Sequence, residues 1–191
     1  MQKDELRYLR CLAKQYPTVA QAATEIVNLQ AILSLPKGTK HFITDIHGEY
    51  EQFQHILKNG SGAIKRKIED EFGSTITVSE KKSLATLIYY PEQKMEQVLK
   101  EEAYIDDWYK VTMYRLIRVC KSAASKYTRS KVRKAMPKDF AYIIEELLTG
   151  RPDVSDQEAY YNEIINSIVR TGQSRKLIIE ICTLFPQNTV I

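Results

Sequence analysis

His41-Phe42-Ile43-Thr44-Asp45-Ile46-His47-Gly48 is the stretch of sequence on which the predicted fold class depends. Residues 41–45 are rich in β-branched and aromatic side chains, which is typical of a short buried strand. After Gly48, residues 49–58 place their apolar side chains on one helical face. The stretch therefore predicts a strand, a tight turn at the glycine and a helix, which together form the local unit of an α/β fold.

The sequence on both sides of this unit has helical patterns. Apolar residues at helical spacing predict one helix that ends before Pro17 and a second that ends near Ser34. Further helices are predicted at 79–89, 91–103, 106–126, 128–135, 137–148 and 174–184, with a helical turn at 64–68. A capping box of Ser155 with Glu158 predicts the start of one more helix. The predicted fold class is therefore an α/β fragment followed by a mostly α-helical segment.

A single strand cannot form a sheet, because its backbone donors and acceptors need neighbours on both edges. The helical sequence around residues 41–45 offers few candidates for those neighbours. We therefore expect the strands that pair with this segment to lie elsewhere.

Asp45 and His47 are the residues whose spacing indicates chemistry. In extended backbone, positions i and i+2 point the same way, so a carboxylate and an imidazole would converge at the carboxyl end of the strand. An oxygen and a nitrogen ligand on one centre suit Mn, Fe or Zn better than Ca or Mg. The alternative is structural, with Asp45 as the cap of the following helix and His47 as a solvated loop residue.

Composition excludes several classes of protein. The chain has 191 residues, of which 43% are hydrophobic and 27% charged, as in an ordinary globular protein. No stretch approaches the roughly 18 consecutive apolar residues of a membrane span, and the first residues are charged where a secretory signal is apolar. Cys11, Cys120 and Cys182 have neither metal-site nor disulfide spacing. We expect a cytoplasmic protein with free thiols and no membrane partner.

Residues 110–138 contain ten Lys or Arg residues and no Asp or Glu. Phosphate or nucleic acid could explain such a run. However, apolar residues alternate with the cations at helical spacing, which is the usual pattern of a solvated face beside a core face. Few aromatic residues for base stacking lie in the run, so the sequence disfavours a nucleic-acid partner and favours the solvated face.

The stretch Asp45-Ile46-His47-Gly48-Glu49-Tyr50 resembles the first motif of the calcineurin-like metallophosphoesterases. The flanking sequence resembles one branch of them, the class 3 fructose-1,6-bisphosphatases of bacteria. The stretches that carry this resemblance include Leu6-Arg7-Tyr8-Leu9, Tyr16-Pro17-Thr18, Leu57-Lys58-Asn59-Gly60-Ser61-Gly62, Leu87-Ile88-Tyr89-Tyr90-Pro91 and Lys126-Tyr127-Thr128-Arg129-Ser130-Lys131. The similarity extends from the first residues to about Leu184.

The resemblance implies a manganese-dependent phosphatase that converts the sugar phosphate fructose 1,6-bisphosphate to fructose 6-phosphate, a step of gluconeogenesis. In that family two metals about 3.5 to 4 Å apart stabilise an in-line displacement at phosphorus. Asp45 and His47 match the family's first pair of metal ligands. The resemblance also implies a metallophosphoesterase sandwich, of which this chain would supply one strand-turn-helix unit.

The resemblance implies three parts of the chain. They are the first α/β part of the metallophosphoesterase domain at 1–62, a helical insertion at 63–184 and an atypical tail at 185–191. The family's Gly-Asp-x-x-Asp-Arg and Gly-Asn-His motifs do not occur here, and no histidine follows His55. We therefore expect an inactive, truncated form of the enzyme, because two ligands do not hold a catalytic metal.

A non-enzymatic reading competes with this one. The chain could be a helical interaction module in which the Asp-x-His turn is incidental, and it would then fold as a monomer that is indifferent to metal. The enzyme reading instead predicts self-association, because apolar surface would lack the layers that cover it.

Overall fold

The computed structural model describes residues 3–36, 42, 45, 47–59 and 62–189, and every regular element among them is an α-helix. The helices are α1 Lys3–Gln15, α2 Val19–Leu33, α3 Tyr50–Asn59, α4 Ala63–Phe72, α5 Val78–Tyr89, α6 Pro91–Glu101, α7 Ile105–Ala124, α8 Arg129–Ala135, α9 Ala141–Thr149, α10 Ser155–Arg170 and α11 Ser174–Thr189. The chain divides into two compact units, an N-terminal unit of Met1–Lys37 and a C-terminal unit of Gly38–Ile191.

The predicted α/β fold class is wrong for the part of the chain that the structure describes, which contains no strand or sheet. Residues 41, 43 and 44 of the predicted strand lie outside the described residues. Phe42 and Asp45 are described, belong to no strand and are exposed, with Phe42 at 89%. A strand is stable only when neighbours satisfy its backbone donors and acceptors. The described part of this chain provides helices instead of such neighbours.

The N-terminal unit consists of α1 and α2. Thr18 is the N-cap of α2, and its side chain accepts a hydrogen bond of 3.2 Å from the backbone N–H of Gln21. No residue of α2 is buried, although the helix contains only one charged residue, Glu25. The unit therefore exposes an unusually apolar helix.

The C-terminal unit is organised around α7. This helix packs against α4, α9, α10 and α11. Its buried residues are Thr112, Met113, Leu116, Ile117, Val119, Cys120 and Ala123. The facing side of α11 contributes Leu177, Ile178, Ile181, Cys182, Leu184 and Phe185. Burial of each large apolar side chain stabilises the fold by about 1.5 to 3 kcal/mol, so this contact forms the centre of the core.

Helix ends show where local signals were misread. The predicted capping box at Ser155 is wrong, because the N-cap of α10 is Val154 and no side chain caps that helix. The observed capping box is Thr77 with Glu80 at the start of α5. The turn predicted at 64–68 is the full helix α4, and α11 continues to Thr189, beyond the predicted end at Leu184.

No helix in the described ranges is both long enough and apolar enough to cross a lipid bilayer. The three cysteines are free thiols, as predicted, with Cys11 exposed and Cys120 and Cys182 buried.

Candidate functional site

The side chains of Asp45 and His47 contact each other. Oδ2 of Asp45 lies 2.9 Å from Nε2 of His47, and the side chains are 61% and 79% exposed. The contact is in the C-terminal unit, immediately before α3. The structure therefore brings together the two residues that were predicted from sequence to converge.

The backbone that produces this contact is not the extended chain expected from the sequence. His47 has φ of +48°, and Gly48 follows with φ of +75°. The left-handed conformation costs a non-glycine residue about 1 to 2 kcal/mol, and such strained residues concentrate at functional sites. The imidazole thus reaches the carboxylate through a left-handed turn, and not through the i, i+2 alternation of a strand.

Gly48 allows the chain to enter α3 directly after this turn. A Cβ at this position would meet no atom within 4 Å, so space does not require glycine. The positive φ does favour glycine, because residues with a Cβ rarely adopt this backbone conformation. The backbone N–H of Tyr50 then donates to the carbonyl oxygen of Gly48 at 3.0 Å, and that of Phe53 donates to Glu49 at 2.9 Å.

The structural alternative for Asp45 was that it caps the following helix. In the described part of the chain, no backbone amide of α3 donates to its carboxylate, and its partner is the His47 ring. The carboxylate therefore remains available, together with the imidazole, for a shared ligand.

The spacing of the two groups suits a common divalent cation. Ligand atoms bound about 2.1 Å from a metal and about 90° apart lie roughly 3.0 Å from each other, and the observed separation is 2.9 Å. Within the described residues, however, no group of three or more His, Cys, Asp or Glu side chains could hold a metal. The pair fits as part of a metal site and not as a whole one, since even open zinc sites use three protein ligands.

His55 was predicted to have a structural role, and His41 lies outside the described residues. Nδ1 of His55 is hydrogen-bonded to the hydroxyl of Tyr90, and the two rings stack with centroids 6.0 Å apart. Lys58 Nζ lies 5.1 Å from the centroid of the Tyr90 ring. Sequence reasoning missed this cluster, because Tyr90 is 35 positions from His55 and no local pattern connects the two.

The basic run at 110–138 makes several contacts inside the protein. Arg115 pairs with Glu80 at 2.7 Å, and Arg118 pairs with Glu71 at 2.8 Å. Lys121 donates to the carbonyl oxygen of Gly150 at 3.0 Å. These three cations connect parts of the C-terminal unit, and the solvated face expected for the rest of the run remains a prediction.

Nearly the whole chain is similar to a known protein family and to individual members of it. A model described as firmicute fructose-1,6-bisphosphatase matches residues 7–191. A class 3 fructose-1,6-bisphosphatase of Clostridium beijerinckii is 65% identical over 188 residues, and those of Clostridium acetobutylicum and Alkaliphilus metalliredigens are 62% identical. No solved structure matches the chain.

Each match includes nearly all of this chain but only a small part of the relative. Each alignment includes 98% of this chain but only 28% of the relative, so the chain spans little more than a quarter of the length of the relatives it matches. The resemblance inferred from the Asp-Ile-His-Gly motif and its flanks is confirmed by the family match over residues 7–191. The chain belongs to the firmicute fructose-1,6-bisphosphatase family.

Proposed function

We propose that this chain contributes the first two ligands of the metal centre of a fructose-1,6-bisphosphatase. The observation that carries the proposal is the 2.9 Å contact of Asp45 with His47 at a strained turn. It gains weight because the chain belongs to a family whose curated members are named for hydrolysis of this sugar bisphosphate. The substrate and activity of those longer relatives are extended to this chain as a proposal only.

Each residue of the turn has a distinct role in this proposal. Asp45 supplies a negatively charged oxygen, His47 supplies a neutral nitrogen, and Gly48 permits the left-handed turn that leads into α3. The chemistry that a bound divalent metal supplies is Lewis-acid activation of a phosphoryl oxygen and of a water molecule. A mixed oxygen and nitrogen ligand set suits Mn, Fe or Zn, and manganese is the metal we propose among them because the family resemblance implies it.

A metal binds a neutral imidazole nitrogen and a charged carboxylate oxygen. His47 and Asp45 must therefore both be deprotonated when the metal binds. The high exposure of the two side chains leaves them accessible from solvent, so no rearrangement of the core is needed for metal to enter.

We further propose that the 191-residue chain alone binds manganese weakly and does not turn over fructose 1,6-bisphosphate. All three histidines of the sequence lie at positions 41–55, and Asp45 and His47 supply only two ligands. The proposed cytoplasmic location is supported by the three free thiols, which are typical of a reducing compartment. The gluconeogenic role and the part boundaries after 62 and 184 remain predictions.

A titration with manganese tests the site, with the bound fraction measured by electron paramagnetic resonance. We expect weak saturable binding to the native chain, and at least a tenfold loss in Asp45→Asn and in His47→Gln. His55→Gln is the matched control, because His55 contacts Tyr90 instead of Asp45. Equal binding by all four proteins would show that manganese does not use the turn.

Activity provides the second measurement. Phosphate release from fructose 1,6-bisphosphate should be absent for the chain alone, whatever the manganese concentration. Turnover by the pure chain would refute the two-ligand argument. The non-enzymatic module is not favoured, because family membership covers nearly the whole chain.

A further inference from the structure

The described residues before and after position 60 differ in burial. Between positions 3 and 59 no described side chain is buried, although this segment contains α1, α2 and α3. The first buried side chain in the described part of the chain is Ile64 of α4, and the core continues to Phe185 of α11. The segment after position 60 therefore forms a core of its own, and the segment before it does not.

α2 has a continuous apolar stripe. Val19, Ala22, Ile26, Leu29 and Leu33 are separated alternately by three and four positions, so they lie on one side of the helix. We call these five residues the α2 stripe. Its four large side chains are, in chain order, 86%, 55%, 52% and 82% exposed. The stripe thus has the spacing of a packing surface, and the described part of the chain leaves its large side chains uncovered.

The opposite side of α2 is polar. Gln21, Thr24 and Asn28 lie there, and all three are exposed. One side of the helix is therefore suited to water and the other to an apolar contact. The occupant of the α2 stripe must be an apolar and largely uncharged protein surface.

The described chain does not supply that surface. α1 has 13 residues and α2 has 15, and helices of this length are marginal in water without tertiary packing. No described side chain of the N-terminal unit is buried, so this unit has no core that could stabilise them. A stable cover for the α2 stripe must therefore come from other polypeptide.

The longer relatives indicate which polypeptide this is. The alignment with the Clostridium beijerinckii relative includes 188 residues of this chain, and therefore α2, but only 28% of the relative. We call the rest of that relative the unmatched part. The aligned residues are 65% identical, and in the relative they fold in the presence of the unmatched part. A helix that is uncovered in this chain thus has a much larger polypeptide available to cover it there.

We propose that the α2 stripe is the docking surface for a protein segment equivalent to the unmatched part. That segment presents an apolar face to Ile26, Leu29 and Leu33, and the polar side of α2 stays in water. The proposal concerns assembly, and it requires neither the metal turn nor hydrolysis. Self-association of the isolated chain, which the sequence predicts, would cover the same stripe when that segment is missing.

Hydrogen exchange followed by mass spectrometry tests the proposal without any substitution. Peptide 19–33 of this chain is compared with the aligned peptide of the intact Clostridium beijerinckii relative, at a concentration where sedimentation shows this chain to be a monomer. We expect exchange at least about a hundredfold slower in the relative, because a covered helix opens rarely. The peptide of α7, which is buried in this chain, is the internal control and should exchange slowly in both proteins. Equal rates for peptide 19–33 would overturn the proposal.

Charged substitutions identify the side of α2 that is covered. The host protein is a fusion of this chain with the unmatched part of the relative. Ile26→Asp with Leu29→Asp should lower its melting temperature by about 5 °C or more, because two carboxylates would enter an apolar contact. The matched control is Thr24→Asp with Asn28→Asp, which adds the same charge to the polar side and should shift the melting temperature by less than about 1 °C.

The two double variants also separate the possible occupants. Equal shifts in the fusion would overturn the proposal. A fusion that dimerises, and that Ile26→Asp with Leu29→Asp converts to a monomer, would assign the stripe to a second copy and would also overturn it. Exchange in the intact relative is measured whether or not the fusion folds. Manganese binding enters neither measurement, so failure of the docking surface and failure of the proposed metal site are distinguishable.

Discussion

Helices α2 and α7 differ in a way that composition alone would not suggest. α2 has one charged residue among fifteen and buries none of its side chains, whereas α7 has six among twenty and buries seven. Leu29 of α2 is 52% exposed, and Leu116 of α7 is fully buried. The contrast shows that burial depends on the neighbours of a helix, because α7 is surrounded by α4, α9, α10 and α11.

An apolar helix without buried residues has a physical implication. Exposed apolar patches mark interaction surfaces. On α2 the exposed large residues are Val19, Ile26, Val27, Leu29, Ile32 and Leu33. The self-association expected from the sequence would use such a surface, and it remains a prediction.

The largest difference between the N-terminal and C-terminal units should be in the reactivity of their thiols. Cys11 is exposed on α1, whereas Cys120 on α7 and Cys182 on α11 are buried, and burial raises the pKa of Cys120 to about 12 and that of Cys182 further. A disulfide reagent at pH 8 should label one thiol rapidly and the other two at least about a thousandfold more slowly, because they react only after opening. Rapid labelling of all three thiols in the native protein would contradict the burial of Cys120 and Cys182.

Truncation of one leucine in each helix tests burial directly. Leu116→Ala on α7 should lower the free energy of unfolding by about 2 to 5 kcal/mol, because it leaves a cavity. Leu29→Ala on α2 should change the free energy of unfolding by no more than about 0.5 kcal/mol, as is usual for an exposed residue. Urea unfolding followed by circular dichroism measures both. Equal losses would mean that α2 is covered in solution, and a dependence on protein concentration would then identify a second copy as the cover.

The helix caps provide a smaller test. Thr77→Ala at α5 should lower stability by about 1 to 2 kcal/mol, because Thr77 accepts from the Glu80 amide at 3.2 Å inside a reciprocal box. Thr18→Ala at α2 removes a single capping hydrogen bond, which is also 3.2 Å long. It should lower the free energy of unfolding by about 0.5 to 1 kcal/mol. Thermal unfolding of the two variants measures both losses, and a larger loss at Thr18 would contradict the greater contribution expected of the reciprocal box at Thr77.

The smallest effect should be a loss of folding stability at low pH that depends on the protonation of Glu80. Donation from the Thr77 backbone and a hydrogen bond from Arg115 lower the pKa of Glu80 to about 2, from 4.5. A carboxyl whose pKa is depressed by folding contributes stability above its unfolded pKa, and this is lost as pH falls. Stability should therefore decline between about pH 4.5 and 2, and Glu80→Gln should flatten this decline. Glu25→Gln on α2 is the control, and an unchanged curve for Glu80→Gln would refute the assignment.

Much of the helical structure could be predicted from sequence. α6, predicted at 91–103, is observed at Pro91–Glu101, and its start follows from Pro91 at the first helical position. α4 was predicted as one turn, although Ile64, Ile68 and Phe72 repeat every fourth residue and are all buried. Its charged residues obscured that spacing.

Capping signals were ambiguous for a different reason. Thr77 and Ser155 are each followed three positions later by a glutamate, but only Thr77 forms the box. Whether the side chain caps depends on the backbone angles at the entry to the helix, which are set by packing of the preceding loop. A pattern of four residues does not contain that information.

The candidate site was predicted in part. The meeting of Asp45 and His47 was expected, but from extended backbone, whereas the structure achieves it with a left-handed His47. The predicted strand was an inference from β-branched residues, and the described part of the chain supplies no sheet for it to join. The contact of His55 with Tyr90 joins residues 35 positions apart, so no local signal could indicate it.

The positions of most helices, the Asp-Ile-His-Gly motif and the family could be determined from the sequence by itself. These properties depend on periodicity, caps and residue identity, which act over a few neighbouring positions. Only the tertiary structure determined that α7 is buried while α2 is exposed, and that every buried side chain in the described part of the chain lies at or after Ile64. Burial and hydrogen-bond partners are decided by distant parts of the chain, because they depend on which helices pack together.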